Sequence, residues 1–197
     1  FLPQIENGAG GFSRGAREFR EGGTKVDAID LLKRHGFNYI RLRIFVDPEN
    51  PKGYSPGIGF CGLDSTLSMA RRVKAAGMGL LLDFHYSDSW ADPQQQNKPS
   101  AWAGLDYAAL RDTLRSYTSA VLRAMERQGT LPDMVQIGNE INHGLLWPDG
   151  HIGNLDQLAR LLRAGVEGTE AVDPRIPVMM HLALGGQNEE ARFWLDN

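Results

Sequence analysis

Asn139, Glu140 and Asn142 stand together at the end of a short apolar run, Met134-Val135-Gln136-Ile137, that follows Leu131-Pro132-Asp133. Such a run reads as a buried parallel strand. A glutamate closing a core strand is costly to bury unless it is hydrogen-bonded or does chemistry. In parallel α/β sheets, ligands bind and reactions occur at the carboxyl ends of the strands. Glu140 is therefore the group around which a site would be built.

Other strand ends offer partners. Arg41 and Arg43 lie on one strand with Asp47 just beyond it, and Asp83 and His85 close the next. The loop after that strand adds Tyr86, Asp88, Trp90 and Asp92; beyond Asn142 come His143 and Trp147, and His181 ends a fourth strand. The set is acidic, aromatic and rich in hydrogen-bonding groups. Such a lining suits a polyhydroxylated ligand, because aromatic faces pack on sugar rings while carboxylates and amides bind hydroxyls.

Several of these residues also have plain structural readings. Arg43 could be the partner of a buried carboxylate, Asp83 could make a structural hydrogen bond, and His85 taken alone reads as a satisfied core histidine. Asp64 reads as a helix N-cap, Cys61 as inert, and Trp102 and Trp194 as packing residues. Trp90 and Trp147 sit in polar loops, where large aromatics need a reason, and ligand contact supplies one. Asp83, His85, Glu140 and His181 are all metal-ligand types. No HxH or HExxH spacing supports a metal, and a metal leaves the tryptophans unexplained.

The elements that must position these groups alternate. Residues 1–23, rich in glycine and charge, read as loop. A helix runs from an N-cap at Thr24 to Gly36, then a strand over Phe37–Val46, a Pro/Gly-rich loop over Pro51–Gly62, and a helix from Leu63 to Gly77. A strand over Gly79–His85 leads into a long loop to about Gly104 and a helix over about Leu105–Gln128. After the Glu140 strand come a loop through Trp147-Pro148-Asp149-Gly150, a helix over about Leu155–Val172, a strand over Pro177–Leu184 and a helix from Asn188 to Leu195. Alternating helix and strand with apolar strands means right-handed β-α units around a parallel sheet. Loops are long after the strands and short before them, which favours a (β/α)8 barrel over a doubly wound sheet. No Gly-rich phosphate fingerprint follows any strand. Only four strands are found, whereas a closed barrel needs eight and typically ~250 residues. The chain is expected to be a fragment of a barrel, in preference to a half completed by another copy.

The 197 residues carry a formal net charge of −3, with 42% hydrophobic and 23% charged residues, enough apolar material for one sizeable core. That charge gives no reason to expect nucleic acid or a membrane surface as partner, and no protein partner is evident. One cysteine rules out an intrachain disulfide. There is no signal-peptide pattern at Phe1 and no apolar stretch long enough to span a bilayer. A first residue other than Met suggests a processed or truncated amino end.

Four stretches together carry a specific likeness: Asn38-Tyr39-Ile40-Arg41-Leu42-Arg43, Leu82-Asp83-Phe84-His85-Tyr86-Ser87-Asp88-Ser89-Trp90-Ala91-Asp92-Pro93, Val135-Gln136-Ile137-Gly138-Asn139-Glu140-Ile141-Asn142 and Leu146-Trp147-Pro148. From about Lys25 to its end the chain resembles glycoside hydrolase family 53, the endo-β-1,4-galactanases that cut galactan chains of type I arabinogalactan and pectin. The resemblance implies a secreted or periplasmic retaining (β/α)8 (TIM barrel) glycosidase without a cofactor, acting on polysaccharide. It implies that Glu140 is the general acid/base and that Asn139 contacts the sugar 2-hydroxyl. It further implies that Arg43 lies near the nucleophile, that His85, Asp88 and Trp90 line sugar subsites, and that His181 faces the site. Trp147, chosen from its loop, joins these as a substrate-binding residue.

By that likeness the four strands are barrel strands two to five, and the first strand and strands six to eight are not in the chain. A retaining glycosidase needs two carboxyl groups ~5–5.5 Å apart, one protonated and one ionised. Glu167, Glu170, Glu189 and Glu190 fall on expected helices, so the nucleophile is expected to be missing and the chain alone inactive. The rival expectations are a non-catalytic carbohydrate-binding barrel and, behind it, a metal-dependent barrel hydrolase.

Overall fold

The computed structural model describes residues 2–8, 17–183 and 185–196. In order these form α1 (Leu2–Asn7), β1 (Phe19–Glu21), β2 (Thr24–Val26), α2 (Ala28–Arg34), β3 (Tyr39–Ile44), α3 (Leu63–Ala75) and β4 (Gly79–Phe84). Next come α4 (Tyr107–Arg127), β5 (Met134–Ile137), β6 (Gly144–Leu145), β7 (Gly150–His151), α5 (Leu155–Glu170), β8 (Val178–Met179) and α6 (Asn188–Asp196). The central sheet has the order β3-β4-β5-β8 and every pair is parallel. Sequential parallel neighbours joined by single helices are the β-α units expected from the sequence.

Strand alternation separates two faces. Ile44, Leu80, Leu82, Phe84, Val135 and Ile137 are fully buried against the helix layer, with Val73, Leu110, Leu114, Leu122 and Leu161 among the buried residues there. Each such side chain withdrawn from water contributes about 1.5–3 kcal/mol. The other face carries Tyr39, Arg41 and Arg43 of β3, Leu81 and Asp83 of β4, and Met134 and Gln136 of β5, in register across the sheet. Two glycines let α5 seat closely: a Cβ on Gly165 would stand 2.7 Å from Ile137 Cγ2, and one on Gly168 would stand 2.6 Å from the Arg115 carbonyl oxygen.

The structure revises several boundaries. Residues 2–7 are helical and residues 19–26 form an antiparallel hairpin, where loop and a capped helix start were expected. Its turn is Gly22-Gly23, both at positive φ (55° and 82°), a pair that suits tight hairpin turns. Thr24 therefore belongs to β2, and Asp27 is the N-cap of α2, accepting Ile29 N–H at 2.7 Å. Gly62, not Asp64, caps α3, and Asp64 lies in its first turn. The fourth strand is two residues long. The neighbouring chain turns out of the sheet at Gly138 (φ 77°), so residues past Met179 bond to that turn instead: Ile141 N donates to the His181 carbonyl and Ala183 N to Asn142 Oδ1. Phe1, residues 9–16, Leu184 and Asn197 lie outside the described residues.

Candidate active site

β5 ends at Ile137, and Gly138 redirects the chain so that Glu140 adopts left-handed backbone angles, φ 50° and ψ 50°. For a residue with a Cβ this costs roughly 1–2 kcal/mol, so surrounding contacts must hold it. Gly138 N donates to the Phe84 carbonyl at 3.0 Å and Ile141 N to the His181 carbonyl at 3.0 Å. A Cβ on Gly138 would stand 2.6 Å from Ile141 Cγ2, so the turn is closed to larger residues. Among the described residues the other non-glycine positive-φ positions are Cys61, Tyr86 and Leu146. Cys61, Tyr86 and Leu146 lie in segments that follow β3, β4 and β5, so the backbone strain gathers at one end of the sheet.

A polar network runs along the face opposite the helices. Arg41 Nη2 pairs with Asp83 Oδ2 at 2.9 Å and donates to Asn139 Oδ1 at 2.7 Å, and Arg41 Nε donates to Gln136 Oε1 at 3.1 Å. Gln136 Nε2 donates to Asp83 Oδ1 at 2.6 Å and to the Gly138 carbonyl at 2.7 Å. Asp83 is fully buried, and both its oxygens are engaged, which is what makes a buried carboxylate tolerable. His85 Nε2 lies 3.1 Å from Asp83 Oδ2, while Ala91 N donates to His85 Nδ1 at 3.2 Å. An amide N–H has only a proton to give, so Nδ1 accepts and the imidazole carries its proton on Nε2.

The same logic orients Asn139 and His181. Asn139 Nδ2 donates to the Ala91 carbonyl at 2.8 Å, and its Oδ1 accepts from Arg41. That fixes the amide, so His181 Nδ1, 2.9 Å from Asn139 Oδ1, must be the donor. Glu140 N, 3.4 Å from the same Nδ1, is then a close neighbour and not the principal partner. Glu140 is half-buried, and the network ends at its backbone.

Arg43 has other company. Its guanidinium carbon stands 4.1 Å from the centroid of the Trp90 ring and 5.3 Å from that of Tyr54, and Nη2 donates to Tyr54 Oη at 3.1 Å. Tyr54 Oη in turn donates to Gln4 Oε1 at 2.9 Å. Phe45, His85 and Trp90 meet edge-to-face with centroids 5.0–6.2 Å apart. One face of Trp90 thus carries a cation, a contact that stabilises by about 0.5–2 kcal/mol.

Asp88 is buried, and its two oxygens accept Asp47 N–H at 3.0 Å and Ser100 N–H at 2.8 Å, so it ties the loops after β3 and β4 together. Trp147 is held by its Nε1 donating to the His143 carbonyl at 2.9 Å, with its ring centroid 5.4 Å from that of His151. The loops after β4 and β5 are laced by Lys98 Nζ to Asp149 Oδ2 at 2.5 Å, His143 Nδ1 to the Pro93 carbonyl at 2.8 Å, and Trp147 N to the Gln96 carbonyl at 2.8 Å.

The structure therefore gathers Asn139, Glu140, His181, Asp83 and His85 through Arg41, and sets Arg43 with Trp90. Among the described residues no group of three or more His, Cys, Asp or Glu side chains is placed to hold a metal ion, and Asp83 and His85 satisfy each other. Sequence reasoning noted Arg41 but gave it no role, and passed over Gln136 and Gln96. A glutamine inside an apolar strand run was a usable signal for Gln136; Gln96, one of three consecutive glutamines in a polar loop, offered none.

The family model "Glycosyl hydrolase family 53" matches residues 13–197. An arabinogalactan endo-β-1,4-galactanase A of Aspergillus niger is 40% identical over 169 residues, covering 84% of this chain and 45% of its own. An uncharacterised protein of Niallia circulans is 40% identical over 204 residues, covering 100% and 52%. Among solved structures, the GH53 catalytic domain of Ignisphaera aggregans superposes with a TM-score of 0.87 at 43% identity, covering 93% of this chain and 51% of that one. A fungal β-1,4-galactanase superposes with a TM-score of 0.82 at 34% identity, covering 91% and 52%. The chain spans about half the length of the curated relatives it matches.

Proposed function

Because the chain belongs to glycosyl hydrolase family 53, a family of (β/α)8 (TIM) barrels, we propose that it carries the general acid/base, Glu140, of a retaining endo-β-1,4-galactanase. The four parallel strands are part of that barrel. The observation that carries the reading is the placement of Glu140: it sits in the turn just past β5 in a left-handed conformation, beside an Asn139 whose orientation is set by Arg41, Ala91 and His181.

In the first step the Glu140 carboxyl gives its proton to the glycosidic oxygen as the bond to the sugar breaks and the nucleophile bonds to the anomeric carbon. In the second, the Glu140 carboxylate takes a proton from water as water displaces the nucleophile. Asn139, Arg43, His85, Asp88, Trp90, Trp147 and His181 are the proposed substrate-binding set. Asn139 and His181 offer polar edges beside Glu140 and Trp147 offers a ring, while Asp88 and His85, whose polar atoms are already engaged, act by shaping the loop that presents Trp90. Substrate in this reading is galactan or type I arabinogalactan, reached outside the cell or in the periplasm.

The nucleophile is proposed to lie outside this chain. Asp83 and Asp88 have both carboxylate oxygens engaged, and Asp92 accepts Gln94 N and Gln95 N on one oxygen and Gln95 Nε2 on the other. Glu167 and Glu170 lie on α5, and Glu189 and Glu190 in the first turn of α6. The test is product analysis with β-1,4-galactan. The purified chain should release no galacto-oligosaccharides; Glu140-dependent release by the chain alone would overturn the assignment.

A further inference from the structure

We propose that Gln96 is a positioning residue that holds Glu140 in its left-handed conformation. Gln96 comes from the loop after β4 and is 2% exposed. Its Nε2 lies 2.9 Å from the Asn139 carbonyl oxygen, 3.1 Å from the Asp92 carbonyl oxygen and 3.3 Å from that of Glu140. An amide nitrogen has two hydrogens to give. The two shorter contacts, to Asn139 and Asp92, take them, and Glu140 O remains a weaker neighbour.

The carbonyl that Gln96 grips belongs to the peptide plane joining Asn139 to Glu140. Asn139 is fixed from its other end by Ala91 O, Arg41 and His181. With side chain and carbonyl both held, that plane cannot rotate, and rotation of it is what release of Glu140 to an ordinary backbone region would require. Gln96 also accepts Trp147 N at its own carbonyl, so one buried residue sets the backbone of Glu140 and of Trp147. Its side-chain hydrogen bonds go to loop residues, so its removal breaks none of the hydrogen bonds of the central sheet.

The importance of this grip for catalysis rests on the acid/base reading of Glu140; the grip itself does not. The test therefore needs no substrate. In isotope-labelled protein, the Glu140 backbone conformation is read from its HN–Hα coupling and 13Cα shift, beside the thermal midpoint. Gln96→Met keeps the side chain's length and removes its donors; Gln96→Ala removes both. Lys98→Met cuts an ion pair between the same two loops without touching the 139–140 peptide.

Both Gln96 variants should move Glu140 out of the left-handed region while the fold is retained, and Lys98→Met should leave it there. Glu140 unmoved in Gln96→Met would overturn the proposal. So would an equal displacement in Lys98→Met, or loss of the whole fold in both Gln96 variants, since a residue on which the core depends is not a positioning residue. Failure of the galactanase reading would show separately, as hydrolysis indifferent to Glu140.

Discussion

Arg41 Nη2 stands 2.7 Å from Asn139 Oδ1, linking residues 98 positions apart and reaching from β3 past β4 to the turn that carries Glu140. The same nitrogen is 2.9 Å from Asp83 Oδ2. One guanidinium therefore neutralises the buried carboxylate of the sheet and orients the amide beside the proposed acid/base. Arg43, two residues on, lies against the Trp90 and Tyr54 rings and donates to Tyr54 Oη.

Removing Arg41 leaves Asp83 without its cation. Losing one partner of a fully buried pair costs ~3–5 kcal/mol, and the 44% exposure of the Arg41 side chain lowers that toward about 2–3 kcal/mol. Arg41→Met should therefore lower the unfolding free energy in urea by about that amount. Arg43→Met should cost less, about 1–2 kcal/mol, the scale of its ring contacts and its hydrogen bond to Tyr54. Equal losses would show that Asp83 does not depend on Arg41.

Asp133 supplies a pH dependence. Partial burial works to raise its pKa, but hydrogen bonds from Lys74 and from Leu80 N–H, with the Lys74 charge, leave it below the ordinary 3.8. A carboxylate depressed in the folded state adds stability above its unfolded pKa and loses it as pH falls through the folded one. Asp133→Asn should thus be less stable than the parent at neutral pH, with the gap closing below 3.8. Thermal midpoints measured down to about pH 2–3 check this; a gap that stays constant through that range would contradict it.

Trp147 presents a ring beside the Glu140 turn, held by the His143 carbonyl and near His151. If it packs on a sugar, Trp147→Ala should weaken binding of galactan oligosaccharides by about 1–2 kcal/mol, roughly five- to thirtyfold. Calorimetric titration reads this directly. Affinity unchanged by the substitution would remove Trp147 from the binding face.

The strands were legible because apolar residues recur through them and glycines end the helices, at Gly36 and Gly77 for instance. The hairpin at Phe19–Val26 was missed although Gly22-Gly23 marked it, since three-residue strands carry too little alternation to stand out among charges. Arg41 and Arg43 share one face of β3, so spacing alone could not say which would lean to Asp83 and which to Trp90. The left-handed turn at Glu140 was hidden for a different reason: no glycine occupies the position, and the contacts that hold it come from residues 41, 96 and 181. The family resemblance placed Asp88 in the loop that lines the sugar subsites, and only the fold shows two backbone amides filling its oxygens.

The acid/base role of Glu140 is most directly tested by azide rescue of Glu140→Ala, measured on an aryl β-galactobioside in a protein that carries this chain with the rest of its barrel. Loss of the general acid/base should slow turnover of galactan by roughly 10²–10⁴-fold. Azide, which needs no base, should then restore turnover and give the β-configured glycosyl azide, the product of attack on an α-linked intermediate. An α-configured azide would make Glu140 the nucleophile instead, and undiminished hydrolysis without azide would remove it from the chemistry.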